Sequence, residues 1–256
     1  MSWFKTGFAA TEEAWDFNAD GGSGGGPRRH WQPAGTTNRL LFLDDDPTCL
    51  WEHNAKINGS WKWWEPCKIR NKMEATCATC ERYDDRWPYF TGLFTVINLT
   101  PWTSKKGHVF NLQREIFSPK LGGKDKPGVL KKVEKLKAKH GRLRGLIFDV
   151  ERSGAKTESC GDDFELVEKI DPGDIAAFRD KMVAEHLTLI NEKLAADKRM
   201  TPEKFLQRNP WEPFNFEEII KPRTNAELRA ILGVAGPDES SGKDSKPDVL
   251  DEDIPY

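Results

Sequence analysis

The chain has 256 residues and a net charge of −2, but the charge is uneven: thirteen Lys and Arg face four Asp and Glu between 101 and 150, and seven acids face two lysines after residue 236. The length suits one main domain with appendages or two small domains, enough to bury a core, and the split charge points to a polyanionic ligand and a separate tail. No stretch is long and apolar enough to span a membrane, and no basic run precedes an apolar one between Met1 and Asp20, so neither an anchor nor a signal peptide is expected.

Residues 1–20 read as a short amphipathic arm carrying Trp3, Phe4, Phe8, Trp15 and Phe17, and Gly21 to Gly26 read as a flexible linker. With the linker the arm spans 1–27. From residue 28 to 170 the pattern is mainly β. Arg39 to Leu43 is a short apolar run stopped by Asp44-Asp45-Asp46-Pro47. Leu50 to Ile57 and Ser60 to Glu65 flank Asn58-Gly59, a strong hairpin turn signal. Phe90 to Leu99, His108 to Phe117, Gly145 to Glu151 and Phe164 to Ile170 continue in the same style. Short strands with turns between them predict a small barrel.

One helix is expected among the strands, because Val129, Val133, Leu136 and His140 recur at helical spacing and Gly141 can end the run. Its lysines serve equally well as a solvated face or as phosphate contacts. After Asp171-Pro172 a helical appendage is expected to residue 236. Ile175, Phe178, Met182, Ile190 and Leu194 share a face, Thr201-Pro202 opens a second helix, and Thr224 with Glu227 forms a capping box before a helix that Gly233 terminates. Residues 237–256 are acidic and poor in apolar side chains, which predicts disorder until they are bound.

Two kinds of residue carry the chemistry. The five cysteines include a cluster, and in a cytosolic protein a cluster reads better as a metal site than as disulfides. Cys77-Ala78-Thr79-Cys80 is a CxxC pair, Cys67 follows a strand, and His53 lies across the Asn58-Gly59 hairpin. Together they offer the four thiolate and imidazole ligands that a closed, structural Zn2+ site takes. Cys49 can replace His53, since four residues along a strand lead back to the same face. Cys160 lies far from the cluster. The ten tryptophans supply the other feature. Trp61, Trp63, Trp64, Trp87, Tyr89 and Trp102 are candidates for stacking on bases, with Lys62, Lys105, Lys106, Arg114, Arg142 and Arg144 as candidates for phosphates. Simple alternation would put Trp61 and Trp63 on one strand face and Lys62 and Trp64 on the other.

The segment from His53 through Asn58-Gly59-Ser60-Trp61, followed by Cys67 and by Cys77-Ala78-Thr79-Cys80, resembles the zinc region of the T-even phage single-stranded-DNA-binding proteins. Nine residues separate Cys67 from Cys77, as in that family, and thirteen separate His53 from Cys67, one more than the family has. Phe90 to Asn98 and Gly107 to Phe117 are similar in strand character, whereas the arm lacks the family's strongly basic character. The resemblance covers the central half of the chain. It implies an OB-fold core with a zinc subdomain at about 49–90, one Zn2+ on His53, Cys67, Cys77 and Cys80, and cooperative, largely sequence-independent binding to single strands. It also implies work in phage replication, recombination and repair in the cytoplasm of an infected bacterial host.

The last six residues, Asp251, Glu252, Asp253, Ile254, Pro255 and Tyr256, resemble the tips of bacterial single-stranded-DNA-binding proteins, which are acidic and end in Ile, Pro and Phe. That likeness implies a docking peptide for a polymerase, helicase or recombinase; a terminal aromatic with its carboxylate suits an apolar pocket rimmed by cations. An enzyme is not expected. Asp44-Asp45-Asp46 before Pro47 reads as a turn, and no Gly-rich phosphate loop with Lys and Ser or Thr is present. The competing readings are a zinc-bearing nuclease or primase-like enzyme and a zinc-ribbon transcription factor that prefers duplex.

Overall fold

Strands form where β-branched and aromatic residues run between turn signals, and the longest of them organises the rest. A computed structural model describes residues 27–57, 60–83, 88–103, 109–123, 126–192 and 199–234, leaving aside the side chains of 55–57, 60–63 and 109. The arm, most of the linker and the acidic tail lie outside the described residues. In chain order the elements are β1 (Thr36–Phe42), β2 (Thr48–Ile57), β3 (Ser60–Pro66), α1 (Ala78–Arg82), β4 (Tyr89–Asn98), β5 (Trp102–Thr103), β6 (Val109–Phe110), β7 (Gln113–Phe117), α2 (Val129–His140), β8 (Leu146–Arg152), β9 (Asp163–Lys169), α3 (Ile175–Asn191), α4 (Pro202–Arg208), α5 (Phe216–Ile219) and α6 (Asn225–Leu232).

The main sheet is antiparallel, in the order β3-β2-β4-β1-β8-β9, with β7 branching from β4. One edge of β4 is shared: Tyr89 to Leu93 pair with β2, and Val96 to Asn98 pair with β1. Its other edge pairs with β7 from Phe94 to Asn98. Among the described residues no pairing joins the edges at β3, β7 and β9, so the expected barrel is not closed. The physical reason lies in β1 and β8. Leu40-Leu41-Phe42-Leu43 and Leu146-Ile147-Phe148 are buried on consecutive residues, the mark of strands covered on both faces. Leu40, Phe42, Phe94, Val96, Phe117 and Phe148 meet Val129, Leu130 and Val133 of α2 on one face. Leu41, Leu43, Ile97 and Ile147 meet Ile175, Val183 and Leu187 of α3, with Phe205 and Trp211, on the other. The sheet is therefore a middle layer between helices.

Local signals place most element ends. α2 stops at Gly141, whose φ of 79° suits a residue without Cβ. Thr201 accepts from the Lys204 N–H with Pro202 at the helix start, and Thr224 and Glu227 form the expected capping box. The run from His108 to Phe117 is not one strand: Leu112, at φ 53°, separates β6 from β7, its N–H held by the Asn111 carboxamide oxygen at 2.9 Å. β6 instead pairs with β5 as a separate ribbon. The Asp44-Asp45-Asp46 turn is fully used within the fold. Asp44 accepts from the Thr95 N–H, Asp45 accepts from the Leu143 and Arg144 N–H groups at 2.9 and 3.0 Å, and Asp46 pairs with Lys137.

Candidate metal centre and the aromatic surface beside it

The centre is assembled by a hairpin and a knuckle. His53 sits on β2 opposite Glu65 of β3. Cys67 follows β3 directly, and its N–H donates to the Trp51 carbonyl at 2.8 Å, which keeps it against β2. The chain then turns tightly: the Asn71 N–H donates to the Cys67 carbonyl at 3.0 Å, and Lys72 takes a left-handed φ of 57°. The Asn71 carboxamide mimics a neighbouring strand, accepting from the Trp51 N–H at 2.9 Å and donating to the Trp51 carbonyl at 2.7 Å. The buried Lys68 ammonium donates to Glu74 at 2.7 Å and braces the loop. Cys77 then caps α1, and Cys80 lies within that helix.

These elements bring His53, Cys67, Cys77 and Cys80 to one point, with their four ligand atoms within 4.8 Å of one another. His53 Nε2 lies 3.3 Å from Cys80 Sγ and 3.7 Å from Cys77 Sγ, and the sulfurs of Cys67 and Cys80 are 3.6 Å apart. Tetrahedral zinc with ordinary bond lengths has ligand–ligand edges of about 3.8 Å between sulfurs and about 3.6 Å between sulfur and nitrogen. The quartet therefore fits a tetrahedral ion and can hold a metal. Cys49 is outside the group: half-buried, its thiol lies 4.0 Å from the Pro47 carbonyl. Cys160 is buried elsewhere, and burial pushes its thiol up.

Crowded thiols compete for one negative charge. Hydrogen bonding from Cys67, aided by His53 against the cost of burial, brings Cys77 down to about 3. Cys67, tied to Cys77 and buried, is pushed up, and burial with the neighbouring Cys77 charge raises Cys80 to about 11. A metal cation held here would resolve the conflict, because it would stabilise all three thiolates at once.

Three aromatics expected to stack on bases are described, and each meets a cation. Trp64 is 43% exposed, and the Arg29 guanidinium lies 4.6 Å from its ring while gripping the buried Glu52 carboxylate with contacts of 2.8 and 2.6 Å. Tyr89, opposite Glu52 in the sheet, is exposed with the Lys120 ammonium 3.9 Å from its ring. Trp102 stacks on Phe110 at 4.3 Å, and Arg28 lies 4.0 Å from it while reaching the buried Glu115 at 3.5 Å. Arg28 and Arg29 belong to one extended segment that bridges in parallel to Ile116 of β7, and Trp31 beside them is exposed. Sequence reasoning missed Arg28, Arg29 and Lys120; the only signal was the Arg-Arg pair that follows the glycine linker after Pro27.

The other candidates divide. Arg114 is turned inward, donating to the Glu212 carbonyl at 3.1 Å over the Phe214 ring, and burial lowers its pKa to about 10. Arg142 pairs with Asp171 at 2.9 Å, and Arg144 is exposed. For Trp61, Lys62 and Trp63 only the backbone is described. A bulge sets Trp61 opposite Lys56, Trp63 opposite Ala55 and Trp64 opposite Asn54, leaving Lys62 without an opposite residue, so simple alternation does not run through this strand. Trp87, Lys105, Lys106 and residues 251–256 lie outside the described residues. No helix among the described residues is long and apolar enough to cross a membrane. Compared with protein-family models, curated proteins and solved structures, the chain matches none.

Proposed function

We propose that this protein binds single-stranded DNA without strong sequence preference, acts by binding rather than catalysis, and recruits replication, recombination and repair partners through residues 237–256. The observation that carries the proposal is the set of cation–aromatic pairs, Arg28 with Trp102, Arg29 with Trp64 and Lys120 with Tyr89, of which Arg28 and Arg29 are neighbours in one extended segment. Aromatic faces stack on any base, and neighbouring cations follow the phosphates, which is what sequence-tolerant binding to single strands requires. An OB-like reading of the core draws support from β4, because a strand shared between two partners on one edge is how such sheets turn a corner. A phage protein working in the host cytoplasm fits the same proposal.

The ion proposed for His53, Cys67, Cys77 and Cys80 is Zn2+, since three thiolates and an imidazole suit it and four protein ligands leave no open position. Zn2+ would supply a cross-link between the β2–β3 hairpin and the knuckle. Trp64 lies on the same hairpin, opposite Asn54 and directly before Glu65, which stands opposite the ligand His53.

Fluorescence anisotropy with oligo(dT) and with a duplex of equal length, over a range of salt, tests the reading. Tight binding to the single strand is expected, falling steeply with salt as counterions are released. Trp64→Ala and Tyr89→Ala should each lose about 1–3 kcal/mol of binding. A preference for duplex, or salt-independent affinity, would refute the proposal.

A further inference from the structure

We propose that α6 is a clasp on the metal knuckle, with Asn225 positioning the Cys77–Cys80 ligand pair, so that metal binding and docking of this C-terminal helix form one coupled equilibrium. The inference rests on the metal reading of the His53, Cys67, Cys77 and Cys80 cluster.

α1 is five residues long, far too short to hold a helical shape by itself. Its cap, Cys77, makes no side-chain capping hydrogen bond, so the first N–H groups of the helix need a partner from elsewhere. Asn225 supplies it from 147 residues away: its Oδ1 accepts from the Ala78 N–H at 2.9 Å, between the two cysteine ligands. Its Nδ2 donates to Glu74 Oε2 at 2.7 Å and to the Thr76 carbonyl and hydroxyl at 3.1 Å each. One buried carboxamide thus ties Glu74, Thr76 and Ala78 together around Cys77. The capping box at Thr224 and Glu227 sets where α6 begins, and so where Asn225 sits.

The rest of α6 closes over the same knuckle. Leu228 and Leu232 bury against Ala78, with Tyr83 and Val234 packed at the margin. Arg229 forms a bidentate pair with Glu81 of α1 at 3.0 and 2.9 Å. Just before α6, the Arg223 N–H and guanidinium reach Glu65 at 2.8 and 3.0 Å, opposite the ligand His53. The segment therefore touches both the hairpin and the knuckle that supply the ligands. The ion orders the loop that α6 grips, and α6 orders the loop that grips the ion. Linkage makes the two effects equal in size. It also makes the metal centre an anchor for the root of the acidic tail.

The test uses the full chain, with Co2+ as a spectroscopic probe of the thiolate site and Zn2+ in competition with a chelator. Asn225→Ala should weaken Zn2+ binding by about 10- to 100-fold, as loss of an outer hydrogen-bonding partner does. Arg229→Ala, a milder change away from the ligand loop, should weaken it in the same direction and covers the case in which Asn225→Ala fails to fold. In the wild type, stripping the metal should speed amide exchange across 225–232 while leaving 129–140 protected. A wild type that binds Co2+ alongside variants with unchanged Zn2+ affinity, or α6 protection indifferent to the metal, would overturn the clasp alone. A wild type that takes up no Co2+ would overturn the metal reading and the clasp together.

Discussion

Arg29 is the residue at which the fold and the proposed surface make opposite claims, and Arg29→Ala separates them. Its guanidinium makes two contacts of 2.8 and 2.6 Å with Glu52, whose side chain is 3% exposed, while Arg29 itself is 14% exposed. Truncation leaves a carboxylate in the sheet interior without its cation. Breaking a buried pair from one side costs about 3–5 kcal/mol, and the lost contact with Trp64 adds about 0.5–1 kcal/mol. The residual exposure of Arg29 lets water reach part of the site, so about 3 kcal/mol is expected. For a chain of this size that corresponds to a fall of roughly 6–12 °C in Tm. Urea unfolding followed by circular dichroism reads the change directly. The double variant Arg29→Gln with Glu52→Gln removes both charges and keeps polar partners, and should recover most of the loss. If Arg29→Ala costs under 1 kcal/mol yet abolishes oligo(dT) binding, Arg29 serves the ligand and not the sheet, and the reasoning fails. If the double variant is as unstable as the single one, the buried charge is not the cause.

Gly145 has φ 81°, and a Cβ there would lie 2.1 Å from the Ile170 carbonyl oxygen, so Gly145→Ala should destabilise by about 3 kcal/mol in urea melts, whereas Gly173→Ala, with nothing nearby, should be close to neutral. The hydrogen-bonded Arg39 guanidinium holds the Asp149 carboxyl below its ordinary range. Because this folded-state value is depressed, the pair's stability is present above the unfolded value near ~3.9 and is lost as pH falls through the depressed one; Arg39→Ala should raise the Asp149 midpoint in an NMR titration and flatten that loss. Chelation of a metal-loaded chain should lower Tm and reloading should restore it, and Cys77→Ser should abolish the difference; a Tm indifferent to chelator would refute a structural ion.

Local chemistry was legible in the sequence, and the residues show why. Gly141 after a 3.6-residue repeat, Thr201-Pro202, and Thr224 with Glu227 each act within a turn of chain, so the ends of α2, α4 and α6 could be read directly. The metal quartet was legible for a similar reason: thiol and imidazole chemistry restricts the ligand types, and a hairpin brings His53 near Cys67. Among the described residues the expected barrel is not closed, because strand identity says nothing about which edges meet, and the doubly buried runs in β1 and β8 reflect helices on both faces. The Lys62 bulge could not be seen, since one unpaired residue shifts alternation without changing composition. Arg28 and Arg29 look like any basic pair until Glu115 and Glu52 are buried beneath them. Asn225 lies 147 residues from Ala78, and only packing of α6 on α1 turns a surface-type polar residue into a buried partner of the Glu74–Ala78 backbone and side chains. Propensity and capping act through neighbours in the chain. Sheet closure, buried charge pairs and long-range braces depend on which surfaces leave water together, and that is decided by the whole fold.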